Sequence, residues 1–203
     1  MSRGPRFGVY LLPDAAARAA LCSTSDMVAD AFGARAAARL PVHVTVKGFF
    51  ATAVDESTLV SAFNELPEPG FGAVRVRDVV AYGLETVAIQ VGRDPRSDTI
   101  DNELMAWHRA VIDRLLPLVH PQCEFTSSEW HGDRWDPHIT IASHDVAPRD
   151  VSRLVDFVRE RIDLRTLGFD RATLIRATSS NWRRWWSDVD IETIAERSIV
   201  NIS

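Results

Sequence analysis

Hydrophobic residues along the chain fall into two rhythms, one near 3.6 residues and one of two, and their order predicts the elements. Residues 7–12 are a short apolar run that reads as a buried strand closed by Pro13. The alanine-rich residues 14–39 have Asp14, Ser25 and Asp26 as candidate caps and predict one or two helices, broken near residues 22–25 and at Gly33. A strand over residues 42–49 comes next. Leu59, Phe63 and Leu66 keep helical spacing within residues 55–66, and Pro67 ends that helix. Residues 73–82 and 86–91 alternate in character around Gly83-Leu84-Glu85 and predict a strand pair.

The second half repeats this order. Ile100, Leu104, Trp107, Val111 and Leu115 share one face of a helix for which Ser97 or Asp98 is the candidate cap and Pro117 the stop. After the polar residues 124–134 a strand is entered through Pro137, which favours an extended conformation at Asp136. A helix over residues 148–162 buries Val151, Leu154, Val155 and Val158, and strands over residues 169–177 and about 185–194 close the chain. His43 stands 12 residues before Asp55, and His138 stands 12 before Asp150, each aspartate near a predicted helix start. Approximate half-repeats 1–95 and 96–203 within one bilobal domain, residues 1–203, account for the matched order. A repeat of this length is too long for a solenoid and suggests two lobes facing each other across a cleft.

Two of the predicted strands carry chemistry. In His43-Val44-Thr45-Val46 and again in His138-Ile139-Thr140-Ile141, the histidine and threonine share one face while β-branched residues take the other. Each is then a strand with an apolar face for the core and an imidazole plus a hydroxyl opposite. Placed side by side, two such strands point two imidazoles and two hydroxyls into one cleft. Lys47, the single lysine of the chain, falls on the His43 face if its strand continues, whereas the second strand has Ala142 at the matching position.

Composition narrows the setting. A chain of 203 residues, 46% of them hydrophobic, can bury a full core and fits one domain or two small lobes. Residues 1–6 are basic, but the apolar run after them is too short for a signal peptide. No stretch approaches the roughly 18 apolar residues that span a bilayer, so a soluble, cytoplasmic protein without membrane association is expected. Cys22 and Cys123 fall in unrelated contexts and read as reduced thiols. The net charge of −5 argues against a general nucleic-acid-coating surface and leaves room for a local cationic pocket. No obligatory protein partner is evident.

On these paired motifs, with the flanking Lys47-Gly48-Phe49 and Pro137, the chain resembles the two-histidine phosphoesterase superfamily. That superfamily includes bacterial RNA 2′,3′-cyclic phosphodiesterases, also named 2′-5′ RNA ligases. A lone His-x-Thr is common by chance, but two, each flanked by β-branched residues and set half a chain apart, are a specific signal. The resemblance implies an α+β fold, bilobal and duplicated, with two antiparallel sheets lining a central cleft and helices on the outside. It implies hydrolysis of 2′,3′-cyclic phosphate ends or 2′-5′ linked nucleotides with no metal and no other cofactor. The ligand is then a small nucleotide, or an RNA end with a cyclic phosphate or 2′-5′ linkage.

The chemistry explains the residue types. Opening a cyclic phosphodiester in line needs an activated water on one side of phosphorus and a proton for the leaving ribose oxygen on the other. His43 and His138 supply one neutral and one protonated imidazole, since histidine titrates near neutrality. Thr45 and Thr140 donate to the nonbridging oxygens, where charge accumulates, and Lys47 adds positive charge. For the substrate wall the candidates are Phe49, Arg134, Trp135, Trp182 and Arg184. Arginine between indoles in residues 181–186 can stack on a base and meet a phosphate, with packing of a hairpin edge or lobe interface the slightly preferred reading. Lys47 stands evenly between pocket and solvated strand end. His144 reads as a loop residue, and His108, His120 and His131 as structural. The alternatives are a nucleotide-binding module of the same fold without turnover and a metal-dependent hydrolase built on His131, Asp133, Asp136 and His138, which leaves the first motif unexplained.

Overall fold

The computed structural model describes residues 4–94, 96–123 and 134–199. Within them the chain order is β1 (Arg6–Pro13), α1 (Ala15–Phe32), β2 (Val44–Phe50), α2 (Glu56–Asn64), β3 (Val74–Tyr82), β4 (Thr86–Val91) and α3 (Asn102–Leu115). It continues with β5 (His138–Ala142), α4 (Val151–Arg159), β6 (Thr166–Leu167), β7 (Phe169–Thr178) and β8 (Asp190–Ser198). Short 3-10 turns occupy Ala37–Arg39 and Trp182–Ser187. The fold is α+β, with all strands antiparallel in the order β6-β3-β4-β5-β2-β1-β7-β8.

Local chemistry sets several boundaries away from where the sequence pattern puts them. α1 runs unbroken through residues 22–25 because the Thr24 hydroxyl donates to Ala20 O at 3.0 Å, keeping the polar stretch inside the helix. Asp14 caps its start, and Gly33, with φ 75°, ends it in the left-handed conformation. α3 is capped by Asp101, whose carboxylate accepts from the Glu103 and Leu104 amides, and not by Ser97 or Asp98. The last strand begins at Asp190. The tryptophan-rich stretch before it forms a 3-10 turn instead, started by the Asn181 side chain accepting from Arg183 N.

At the centre of the sheet β2 and β5 share one ladder pair, Val44 with Ile139. In place of the two expected sheets, the strands follow one another in a single eight-stranded order, joined through this pair. β1, β2, β7 and β8 lie on one side of this seam and β3, β4, β5 and β6 on the other, so each side draws strands from both chain halves. Val44, Val46, Ile139 and Ile141 point into a core shared with Leu104, Trp107 and Leu154. α1 and α4 pack near β3, β4 and β5, while α2 and α3 lie near β8 and β2. Among the described residues no helix is long and apolar enough to cross a membrane.

Candidate active site

With Val44 opposite Ile139, the antiparallel register continued by one residue each way sets His43 against Thr140 and Thr45 against His138. The rings are restrained alike, His43 donating from Nδ1 to Pro41 O at 2.6 Å and His138 from Nδ1 to Asp136 O at 2.7 Å. A carbonyl can only accept, so Nδ1 carries a proton in both rings and Nε2 is left for chemistry. His43 Nε2 lies 3.1 Å from Thr45 Oγ1. Tyr10 stacks on His43 with centroids 3.9 Å apart, and Tyr82 lies tilted against His138 at 4.7 Å.

Their electrostatic settings differ. Burial pushes His43 down to about 4, with the Pro41 carbonyl opposing and the nearby His138 charge lowering it further. Burial also lowers His138, but the Asp136 carbonyl and then its carboxylate pull it back up. Asp136 is firmly held: the Tyr82 hydroxyl donates to it, as do Gln90 Nε2 at 3.1 Å and Arg93 Nε at 2.9 Å. Burial raises its carboxyl, and these donors together outweigh burial and leave it below the usual carboxylate value. A fixed anion therefore sits on the His138 side.

His43, Thr45 and Thr140 line a cleft of about 590 Å³, together with Phe49, Arg39 and Trp185. His138 is not among the residues lining this cleft; it is half-buried in the adjoining strand β5. Lys47 does not line the cleft. The pairing of β1 with β2 shifts by one residue between Val9–Lys47 and Tyr10–Thr45, and this bulge turns Lys47 to the core side. There it is 2% exposed, its ammonium lies 5.0 Å from the Phe50 ring, and burial lowers its pKa to about 8. The cleft takes positive charge from Arg39 instead, in the 3-10 turn before the first motif.

Of the candidate wall residues, Phe49 lines the cleft, with its edge to Trp185 at 5.2 Å. Trp182 is buried behind it at 5.6 Å and donates from its indole to Gly4 O at 3.3 Å. Arg134 and Arg184 are exposed and outside the cleft lining. Trp135 is a core residue: its ring stacks on buried His108 at 4.1 Å, and its indole N–H donates to Thr45 O at 2.9 Å where β2 and β5 part. It positions the threonine strand. His131 and Asp133 lie outside the described residues, and among the described ones no group of three His, Cys, Asp or Glu is placed to hold a metal ion.

No protein-family model matches the chain, and no curated protein matches it in sequence. Solved structures match it in shape. Escherichia coli LigT complexed with 3′-AMP matches with a TM-score of 0.57 at 12% identity, covering 98% of this chain and 99% of that one. LigT complexed with NADP+ gives 0.55 at 14% identity with the same coverage. TT0787 of Thermus thermophilus gives 0.54 at 13% identity, covering 98% of this chain and 100% of its own. The chain shares the fold of these LigT-like structures. On it, residues not predicted from sequence complete the cleft surroundings: Tyr10 and Tyr82 over the two imidazoles, the Asp136–Arg93 pair behind one of them, and His144 on the far wall. Asp136 and Arg93 lie 43 residues apart in sequence and carry no joint signal. Asp136 alone has one, its place before the Pro137 that opens the motif.

Proposed function

We propose that the protein is a metal-independent phosphodiesterase that opens 2′,3′-cyclic phosphate ends or cleaves 2′-5′ linked nucleotides through His43 and His138. The observation that carries this reading is the matched restraint of the two imidazoles on adjacent strands, each fixed through Nδ1 to the carbonyl two residues earlier. Strand alternation puts both imidazoles on the sheet face of Thr45 and Thr140. Neighbours of the same fold crystallised with 3′-AMP and NADP+ support a small nucleotide ligand.

The asymmetry supports a division of labour. His43, pushed down to about 4, is neutral near pH 7 and serves as the base, its Nε2 lone pair accepting from the Thr45 hydroxyl until water takes that place. His138, lowered by burial but with the Asp136 carbonyl and carboxylate opposing that shift, is the acid that protonates the leaving ribose oxygen. Thr45 and Thr140 then donate to the nonbridging oxygens, and Arg39 supplies the positive charge that strand alternation assigns to Lys47.

The test is a screen of nucleoside 2′,3′-cyclic phosphates, short cyclic-phosphate-ended RNAs and 2′-5′ dinucleotides with a chelator present throughout. His43→Ala and His138→Ala each lose roughly 10²-fold or more in turnover. On an aryl phosphodiester, whose phenolate leaves without a proton, His138→Ala regains most of its rate and His43→Ala does not. Full activity in either variant refutes the mechanism, and stoichiometric nucleotide binding with no product marks a binding module.

A further inference from the structure

His144 is a cleft residue that the proposed chemistry does not use. It has φ 70°, a left-handed conformation unusual for a residue other than glycine, and such positions cluster where a site demands a particular side-chain direction. Its neighbours are pinned on both sides. Ser143 Oγ lies 2.7 Å from Thr86 Oγ1, and Asp145 accepts from the consecutive amides of Arg35 and Ala36 at 2.6 and 2.8 Å. The ring itself lies parallel to Trp186 at 4.1 Å and 9°, meets Trp185 edge-on at 5.4 Å, and has Nδ1 3.7 Å from Glu85.

These contacts extend an aromatic arc. From His43 it passes through Tyr10 at 3.9 Å, Phe49 at 6.3 Å and Trp185 at 5.2 Å to His144, with Trp186 behind. One end carries the proposed base and the other a flat, half-buried imidazole backed by an indole and lining the same cleft.

We propose that His144, backed by Trp186, is the platform on which the nucleobase of the substrate stacks, so that the enzyme selects base-bearing phosphodiesters over base-free ones. The proposal rests on the phosphodiesterase reading above for its substrate class. A planar base laid on the imidazole continues the Trp186–His144 stack, and the pinned backbone holds the platform in place before the ligand arrives. Stacking of this kind accepts any base, so it separates nucleotides from sugar phosphates and not one base from another.

The test is equilibrium calorimetry with adenosine 3′-monophosphate and ribose 3-phosphate as probes. The unaltered protein prefers the nucleotide by roughly tenfold or more. His144→Gly removes the ring at a φ that glycine accepts readily, so it folds, and its preference falls by roughly fivefold or more. Trp186→Ala, which keeps the imidazole, lowers it less. A preference near one in the unaltered protein, or an unchanged preference in His144→Gly, overturns the platform. Because the readout is binding, a protein that binds with the expected preference but turns over no cyclic phosphate refutes the catalytic reading and leaves the platform standing. Turnover with a preference near one does the reverse, and failure to bind either probe overturns both.

Discussion

Protonating His43 costs the folded protein free energy that the unfolded chain does not spend, and the amount follows from its burial. The folded pKa is about 4 against 6.5 for a free imidazole, and each unit corresponds to about 1.36 kcal/mol. The unfolded chain therefore binds this proton at a higher pH than the folded one, so stability falls as the pH drops. The penalty is absent well above pH 6.5, grows between 6.5 and about 4, and levels off below that. At about pH 4.5 it reaches roughly 2.6 kcal/mol. The ring is half-buried, and water at the cleft mouth screens part of this, leaving about 1–2 kcal/mol. His43→Ala lacks the group and escapes the penalty. Urea denaturation at about pH 7.5 and about pH 4.5 then shows the unaltered protein losing about 1–2 kcal/mol more than the variant across the interval. His138 is lowered by burial as well, contributes with the same sign in both proteins and largely cancels in the comparison. Equal losses in the two proteins would refute the reasoning, and with it the case for a neutral base at this position.

Two further outcomes are expected. Trp135→Phe keeps a ring against His108 but withdraws the indole donor from Thr45 O; leaving a buried carbonyl unmatched costs about 1–3 kcal/mol in chemical denaturation, with a loss of turnover larger than that of Thr45→Val if the carbonyl also sets the strand. Gly92→Ala places a Cβ 2.6 Å from Leu104 Cδ2 at φ 68°, which lowers the melting temperature and loosens Arg93 from Asp136; a variant as stable as the parent would show that the turn after β4 has slack the packing does not suggest.

What is legible in the sequence depends on whether a pattern is local and unbroken. Both motif strands can be read because alternation holds from His43 to Val46 and from His138 to Ala142. The same alternation fails one residue later at Lys47, where a bulge, invisible to a period-two count, reverses the facing. His144 reads as a loop residue because the strand ends before it. It reaches the cleft through a left-handed backbone that no propensity announces. Trp135 misleads for a related reason: an aromatic residue beside a motif signals proximity to the site, but not whether it faces the ligand or, through His108, the core. The Asp136 network lies beyond reach because its members, Tyr82, Gln90 and Arg93, come from the opposite half of the chain.

The strand order has a consequence for how the protein is made. Residues synthesised first supply two separate strand pairs, β1 with β2 and β3 with β4, which share no ladder. β5 joins them, entering between β4 and β2 and bringing His138 with it. β1 then gains its second neighbour from β7, with Arg6 opposite Ala177 near the far end of the chain. Such distant pairing forms late and slowly, and a nascent or truncated chain ending before β5 has one motif histidine and lacks the strand that carries the other. On the proposed two-histidine mechanism, turnover is withheld until β5 has brought His138 alongside the strand that carries His43.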